Sequence, residues 1–359
     1  AVSTAVQRIG AVSIDTALQR LWYGPAWRSV PLWPLALLFR AGVALRTRAF
    51  RAGVLRTHEA GVPVIVVGNV TVGGTGKTPI AAWVAGLLTV RGRRVGVVLR
   101  GYGGTYGSDA RIVGLSDNPS EVGDEALLHA RRGAHVVVIG ADRVAAARMA
   151  AEHGAEIVVC DDGLQHLRLA RDYEIAVVDA ARGLGNGWLL PAGPLREAPG
   201  RLESVHALIA THRGSARSRW SRRVAGPMLV DARLTLGAAV NLVNGERRPL
   251  DAFARVGKLH AVAGVGHPEA FFAALRESGL DPVEHALPDH ASLDPGALPF
   301  PADATVLMTE KDAVKCRGFG QPGWWWVDLE VRVDRAEAEA LLASIYERTG
   351  LTGAGAVLG

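Results

Sequence analysis

Cysteine is almost absent: Cys160 and Cys316 are the only two in 359 residues, and neither belongs to a CxxC or a His-flanked pair. That excludes a disulfide scaffold and a zinc finger, and fits two structural thiols in a reducing compartment. Long apolar runs are missing too. The longest, Val30 to Phe39, is closed by Arg40 and falls far short of the roughly 20 residues that span a bilayer. Basic residues follow this run instead of preceding it, the reverse of a cleavable signal peptide, so a cytoplasmic protein is expected. No fixed-period repeat occurs, and the only biased tract is the Gly-rich last few residues, which excludes a solenoid. With 49% hydrophobic and 21% charged residues the chain is neither disordered nor in need of staples. At roughly 150 residues per domain its length suggests two domains.

One stretch lacks acid altogether. Between Asp15 and Glu59 there is no carboxylate, while Trp22, Tyr23, Trp27 and Trp33 surround the apolar run and Arg40, Arg46, Arg48, Arg51 and Arg56 follow it. Aromatic and basic residues in this order suit a lipid headgroup interface. An ordinary helix with its Leu and Val side on the core and its arginines solvated remains the other reading. The formal net charge of +5 favours an anionic partner, whether nucleotide, nucleic acid or anionic membrane, without choosing among them.

What is present after residue 60 is an alternation of short β-branched runs with Ala-rich stretches. Strands are expected within 62–69, 94–101, 134–140, 155–163 and 173–180, with helices after Lys77 and up to Gly154. Near-continuous apolar strands alternating with helices imply an α/β fold, a mostly parallel sheet covered by helices on both faces. Residues 227–250 change pattern, to two strand-like segments broken at Gly237-Ala238, and βα units then resume. The expected organisation is an N-terminal interface segment (1–56), a P-loop core (57–226), a two-stranded linker (227–250) and a smaller C-terminal α/β domain (251–359). The last has strands near 259–263, 305–309 and 325–331 and a closing helix over 334–348. The Trp324, Trp325, Trp326 triplet reads as strand core.

Between the first of these strands and its helix lie Thr71, Val72, Gly73, Gly74, Thr75, Gly76, Lys77 and Thr78. Glycines there let backbone N–H groups close on phosphate oxygens, the helix N-terminus favours negative charge, Lys77 reaches the β and γ phosphates, and Thr78 can hold Mg²⁺. A nucleoside triphosphate is the expected ligand. Thr71 stands where the strict G-x-x-x-x-G-K-[ST] pattern has glycine. Val72 stands where the KGGxGKT loop of partner-switching and metal-chaperone ATPases has its signature lysine.

In open α/β sheets ligands bind beyond the carboxyl ends of the strands. Asp161 and Asp162, followed by Gln165 and His166, end one apolar strand and are candidate Mg²⁺ ligands. Arg100 and Tyr102 lie in a glycine-rich turn after another strand, and Asp124 and Glu125 open a helix. Phosphoryl transfer to an alcohol needs a carboxylate to accept the hydroxyl proton, and Asp124 is the candidate. Arg143 and Arg196 are candidates for neutralising phosphate charge, with surface ion pairing as the plain alternative.

Together GNVTVGGTGKTP, RGYGG, GDEALL, DDGLQH, DAARGLGNGWLLPAGPLRE, AGVGHPEAFF, PDH and TEKDAVK, in this order from about Leu21 to Val331, resemble the tetraacyldisaccharide 4'-kinase family of lipid A biosynthesis. The resemblance implies ATP- and Mg²⁺-dependent phosphorylation of the 4'-hydroxyl of an acylated glucosamine disaccharide 1-phosphate, giving lipid IVA. It also implies a peripheral, non-spanning, monomeric protein at the cytoplasmic face of the bacterial inner membrane, with no nucleic-acid partner. Carried over by residue, it makes Lys77 and Thr78 the phosphate loop, Asp124 the base, and Glu125, Asp161 and Asp162 the metal-associated acids. Tyr102, Arg143, Gln165, His166, Asn186, Arg196 and Glu197 then surround the phosphates and substrate. His290 matches the histidine that the family pairs with its base, although the next residue, often His or Tyr there, is Ala291 here. The competing functions are a P-loop ATPase that switches a partner or inserts a metal, and a nucleotide-binding membrane adaptor without chemistry.

Overall fold

The computed structural model describes residues 14–351 except 103, 106–108, 215–219, 221–223, 289–294, 296–297, 299, 302 and 317. Helix α1 (Ile14–Trp22), a 3-10 turn (Ala26–Leu32) and α2 (Trp33–Arg51) come first. The core then follows as β1 (Val64–Gly68), α3 (Lys77–Val90), β2 (Val95–Leu99), β3 (Arg111–Ile112), α4 (Pro119–Val122), α5 (Asp124–Arg131), β4 (Val136–Ile139), α6 (Arg143–Glu152), β5 (Ile157–Asp161), β6 (Tyr173–Asp179) and β7 (Ala207–Arg213). Beyond it lie β8 (Met228–Asn241), β9 (Arg247–Arg248), β10 (Leu259–Ala263), α7 (Pro268–Glu277), β11 (Val283–Ala286), β12 (Thr305–Thr309), α8 (Glu310–Lys315), β13 (Trp324–Val333) and α9 (Arg335–Thr349).

The fold is α/β, with a mostly parallel sheet. One hydrogen-bonded path runs β11-β10-β12-β13-β8-β7-β6-β1-β5-β2-β4-β3, with β9 on β8. The central strands β1, β2, β4 and β5 are buried along their whole length, as continuous apolar runs covered on both faces must be. One face packs Ile65, Val97 and Val159 against Ile80, Val84 and Leu88 of α3; the other packs Val66, Val98 and Val158 against Ala146, Ala147 and Ala150 of α6. Each fully buried Val, Leu or Ile side chain contributes about 1.5–3 kcal/mol, and the small alanines let α6 sit close.

β8 is one continuous strand where two broken segments were expected. Met228 to Leu234 pair in parallel with β7 and Ala232 to Asn241 antiparallel with β13, with a register shift beside Gly237 and Ala238 that the sequence break foreshadows. β13 heads a second parallel set, β12, β10 and β11. The antiparallel joint reverses that set, so its carboxyl ends face back towards the carboxyl ends of the first set. That reversal brings α8, which begins directly after β12, against α5. Trp324 and Trp325 are buried in β13, as strand core.

The N-terminal segment is joined to the core at a few points. Trp33 stacks on Trp188 at 4.3 Å, the Trp22 Nε1 donates to the Pro191 carbonyl, and Arg46 donates to the Gln165 carbonyl. Of α2 only Ala36 is buried; Leu35, Leu37, Leu38 and Leu45 are exposed.

Candidate active site

β1 ends at Gly68 and the chain turns through Asn69 to Gly76 before α3 begins at Lys77. The buried Asn69 amide braces the turn by donating to the Thr71 and Thr75 hydroxyls, and the Val72 amide donates to the Pro194 carbonyl. Gly73 and Gly76 have φ of 108° and 86°, and a Cβ on Gly76 would come within 2.9 Å of Leu234. Glycine is therefore required at position 76 for both conformation and space. The loop presents a helix N-terminus, with Lys77 and Thr78 on its first turn, beside the carboxyl end of β5.

That strand end carries the acids. Asp161 is buried; its Oδ2 lies 3.1 Å from His129 Nε2, while its Oδ1 is buried with no hydrogen-bond partner among the described residues. Burial and the Asp161 charge raise Glu125, although Lys311, Lys77 and His129 pull the other way. Asp162 takes φ 52°, the only non-glycine residue at positive φ among those described. Such strain is concentrated at functional sites. Burial alone would raise Asp162, but Lys77 at 3.9 Å and Arg196 at 3.0 Å outweigh it and hold the carboxylate below its usual range. The two adjacent aspartates are thus unlike: Asp162 is neutralised by two cations, and Asp161 keeps a bare buried oxygen.

Asp124 is the first residue of α5, buried, with Lys315 Nζ 3.5 Å from its Oδ2. Gly123 before it has φ 86°, and a Cβ there would come within 2.7 Å of the Tyr102 carbonyl, so the turn that aims Asp124 is closed to other residues.

Around the acids the substrate-side residues form a chain. Arg196 donates to both oxygens of Asp162 and to Gln165 Oε1; Gln165 Nε2 donates to the Asn69 carbonyl and to Glu197; Glu197 pairs with Arg201 at 3.4 Å. Tyr102 lies on the turn after β2, 66% exposed. Arg143 is turned inward: it is buried and donates to the Gly140 carbonyl. Asn186 is built into the N-terminal joint, donating to the Ala192 carbonyl and to Ser29, and accepting from the Trp188 amide. His290 lies outside the described residues.

Burial first, and Arg143 next, push the His166 imidazole down to about 4 against the opposing pull of Asp162, so it is neutral at pH 7. Below its ordinary value of 6.5 the unfolded chain takes up a proton that the folded chain refuses until about 4. Stability should therefore fall as pH drops through that window. The expected result is that His166→Gln narrows the difference between urea midpoints at pH 7 and pH 5; an unchanged difference would contradict it.

Three residues that sequence reasoning left without a role sit in this site: His129 against Asp161, and Lys315 and Asp312 behind Asp124. TEKDAVK stood out in the sequence, but its distance along the chain from Asp124 hid what it touches.

Similarity to known proteins gives the family. The family model described as Tetraacyldisaccharide-1-P 4'-kinase matches residues 28–347. A tetraacyldisaccharide 4'-kinase of Alkalilimnicola ehrlichii is 44% identical over 335 residues, covering 91% of this chain and 96% of that protein. One from Thiobacillus denitrificans is 47% identical over 318 residues, covering 88% and 94%. The crystal structure of LpxK from Aquifex aeolicus in complex with ATP superposes with a TM-score of 0.77 at 28% identity, over 89% of this chain and 99% of that one. Phosphate loop, strand-end acids and matched length lead to one conclusion: the chain belongs to the tetraacyldisaccharide-1-P 4'-kinase family.

Proposed function

We propose that the protein transfers the γ-phosphoryl group of ATP to the 4'-hydroxyl of a tetraacylated glucosamine disaccharide 1-phosphate, giving lipid IVA. The observation that carries this reading is the meeting of a phosphate loop with a split set of carboxylates, some neutralised and one bare, at facing strand ends. The backbone of Thr71 to Thr78 would cradle the phosphates, with Lys77 on the β and γ groups. Arg196 and Lys77, already within reach of Asp162, would set positive charge against the negative charge of the phosphates in the transition state. The acceptor oxygen forms its bond to the γ-phosphorus as the bond to the β–γ bridging oxygen breaks, that electron pair leaving on ADP. The hydroxyl proton passes to Asp124.

No three His, Cys, Asp or Glu side chains among the described residues are gathered as a metal site by themselves; the hard-oxygen donors that would hold Mg²⁺ are the buried Asp161 oxygen that lacks a hydrogen-bond partner, Glu125, raised by burial and the Asp161 charge, and the Thr78 hydroxyl. When bound, the ion would neutralise phosphate charge. Asp162, held by two cations, would act one step removed. Gln165, Glu197 and His166 would shape the substrate side.

For the lipid, α2 offers Leu35, Leu38 and Leu45 to solvent beside Arg40, Arg46 and Arg48. This supports peripheral docking on the anionic cytoplasmic face of the bacterial inner membrane. No described helix is long and apolar enough to cross a membrane. Nucleic acid has no part in this reading.

The test is transfer of labelled γ-phosphate from ATP to the disaccharide lipid in detergent micelles, where labelled lipid is expected. ATP hydrolysis without labelled lipid would favour the partner-switching ATPase. In vesicle flotation, serine at Leu35, Leu38 and Leu45 together should weaken binding to anionic vesicles about tenfold or more, since each leucine forfeits buried apolar area. ATP affinity should stay unchanged; loss of both would give α2 a structural role only.

A further inference from the structure

Helices α5 and α8 lie antiparallel, with an ion pair at each end. Arg132, which caps α5, meets Glu310 at the start of α8 at 2.6 Å; Asp124, which opens α5, meets Lys315 at the end of α8 at 3.5 Å. Only the second pair touches the reacting groups, and it is built more rigidly than a clasp needs. Lys315 and Asp124 side chains are each 8% exposed, and Lys315 Nζ is also 3.2 Å from Asp312 Oδ1, whose side chain is fully buried. Asp312 is fixed in turn: its Oδ2 accepts from the Gly264 amide at 2.9 Å and from the Thr309 hydroxyl at 2.6 Å. Gly264 follows β10 directly, and a Cβ on it would come within 2.8 Å of Asp312 Oδ1, so the seat of this carboxylate excludes a side chain there.

We infer that Lys315 is a positioning residue for Asp124, holding one oxygen of its carboxylate from the second half of the chain, with Asp312 holding Lys315. This rests on the reading of Asp124 as the proton acceptor. A buried ammonium between two carboxylates is costly to desolvate, and an apolar pair would join the helices as well. What it adds is direction. It ties a carboxylate on a glycine-preceded helix start to the ends of β10 and β12.

The experiment is steady-state phosphoryl transfer by the full chain. Lys315→Ala should lower kcat by about 100-fold, the scale of a slight misplacement of a reacting group, with KM for ATP within about threefold. Lys315→Arg, which keeps a cation, should recover at least about a tenth of the native rate. Arg132→Gln breaks the pair at the far end of the same helices and should leave kcat within about threefold. In an Asp124→Ala background, adding Lys315→Ala should change nothing, because a residue that acts through another is silent without it. Should Lys315→Ala fail to fold, Lys315→Met supplies the same removal of charge at matched length. Native kcat in Lys315→Ala, or an equal loss in Arg132→Gln, would overturn the inference. Loss of activity in Asp124→Ala but not in Lys315→Ala defeats the role of Lys315 alone; native activity in Asp124→Ala defeats the reading on which it rests.

Discussion

Alanine at Asp124 is expected to lower kcat for lipid phosphorylation by about 10³-fold while KM for ATP stays within about threefold, within the range measured for general bases. The carboxylate sits at the N-terminus of α5, where the helix favours negative charge, and Gly123 leaves its backbone no alternative path. The phosphate loop approaches from a different element, so ATP binding has no reason to depend on it. Nor should the fold suffer greatly, because Lys315 keeps Asp312 as a partner once Asp124 is gone. Asp124→Asn, of the same shape, should be about as inactive as alanine, since the defect is a missing proton acceptor and not a hole. Single-turnover transfer of labelled phosphate separates the step from product release. A rate within tenfold of native for both variants, with folding unchanged by circular dichroism, would remove Asp124 from the base role.

How far the sequence discloses this site follows from chain distance. The loop from Thr71 to Thr78 and the pair Asp161-Asp162 stand out in the sequence because each is a local arrangement, an apolar strand followed at once by a polar cluster. Of their neighbours, Gln165 and Arg196 stand out by their place after apolar strands and Glu197 comes from the resemblance alone; the structure joins all three in one hydrogen-bonded chain with Asp162. The exposed leucines of α2 were half legible, as periodicity shows an apolar side but not whether it is covered. What could not be read is what the antiparallel joint creates. β8 looks broken at Gly237-Ala238, yet runs through and reverses the second strand set. Nothing local to TEKDAVK says that Lys315 meets Asp124, and nothing local to His129 says that it faces Asp161. Arg143, placed by pattern among the phosphate-neutralising residues, has its guanidinium buried and donating to the Gly140 carbonyl, which the sequence does not show.

Asp161→Asn should separate function from stability more sharply than any other change in the protein. The expected loss in kcat is about 10²–10³-fold, on the scale of removing one preorganised electrostatic partner from a phosphoryl-transfer site. The same substitution should raise the melting temperature of the ligand-free protein. An asparagine oxygen can keep the contact with His129, and its amide replaces a buried oxygen that has no hydrogen-bond partner, next to a Glu125 raised partly by the Asp161 charge. A carboxyl group raised by folding weakens the native state above its unfolded value near 4.5 and not below it, so the gain should be present at pH 7 and fade as pH falls towards that value. Mg²⁺ with ATP should raise the melting temperature of the native protein more than that of the variant, because a ligand stabilises in proportion to its affinity for the folded state. If Asp161→Asn lowers the ligand-free melting temperature at pH 7, the cluster is an ordinary stabilising network and the buried oxygen is no metal seat. If activity and stability both stay native, Glu125 and Thr78 must suffice without it. The predicted pattern, activity lost and stability gained, is what a site yields when its carboxylates are crowded together for a cation that the fold alone does not supply.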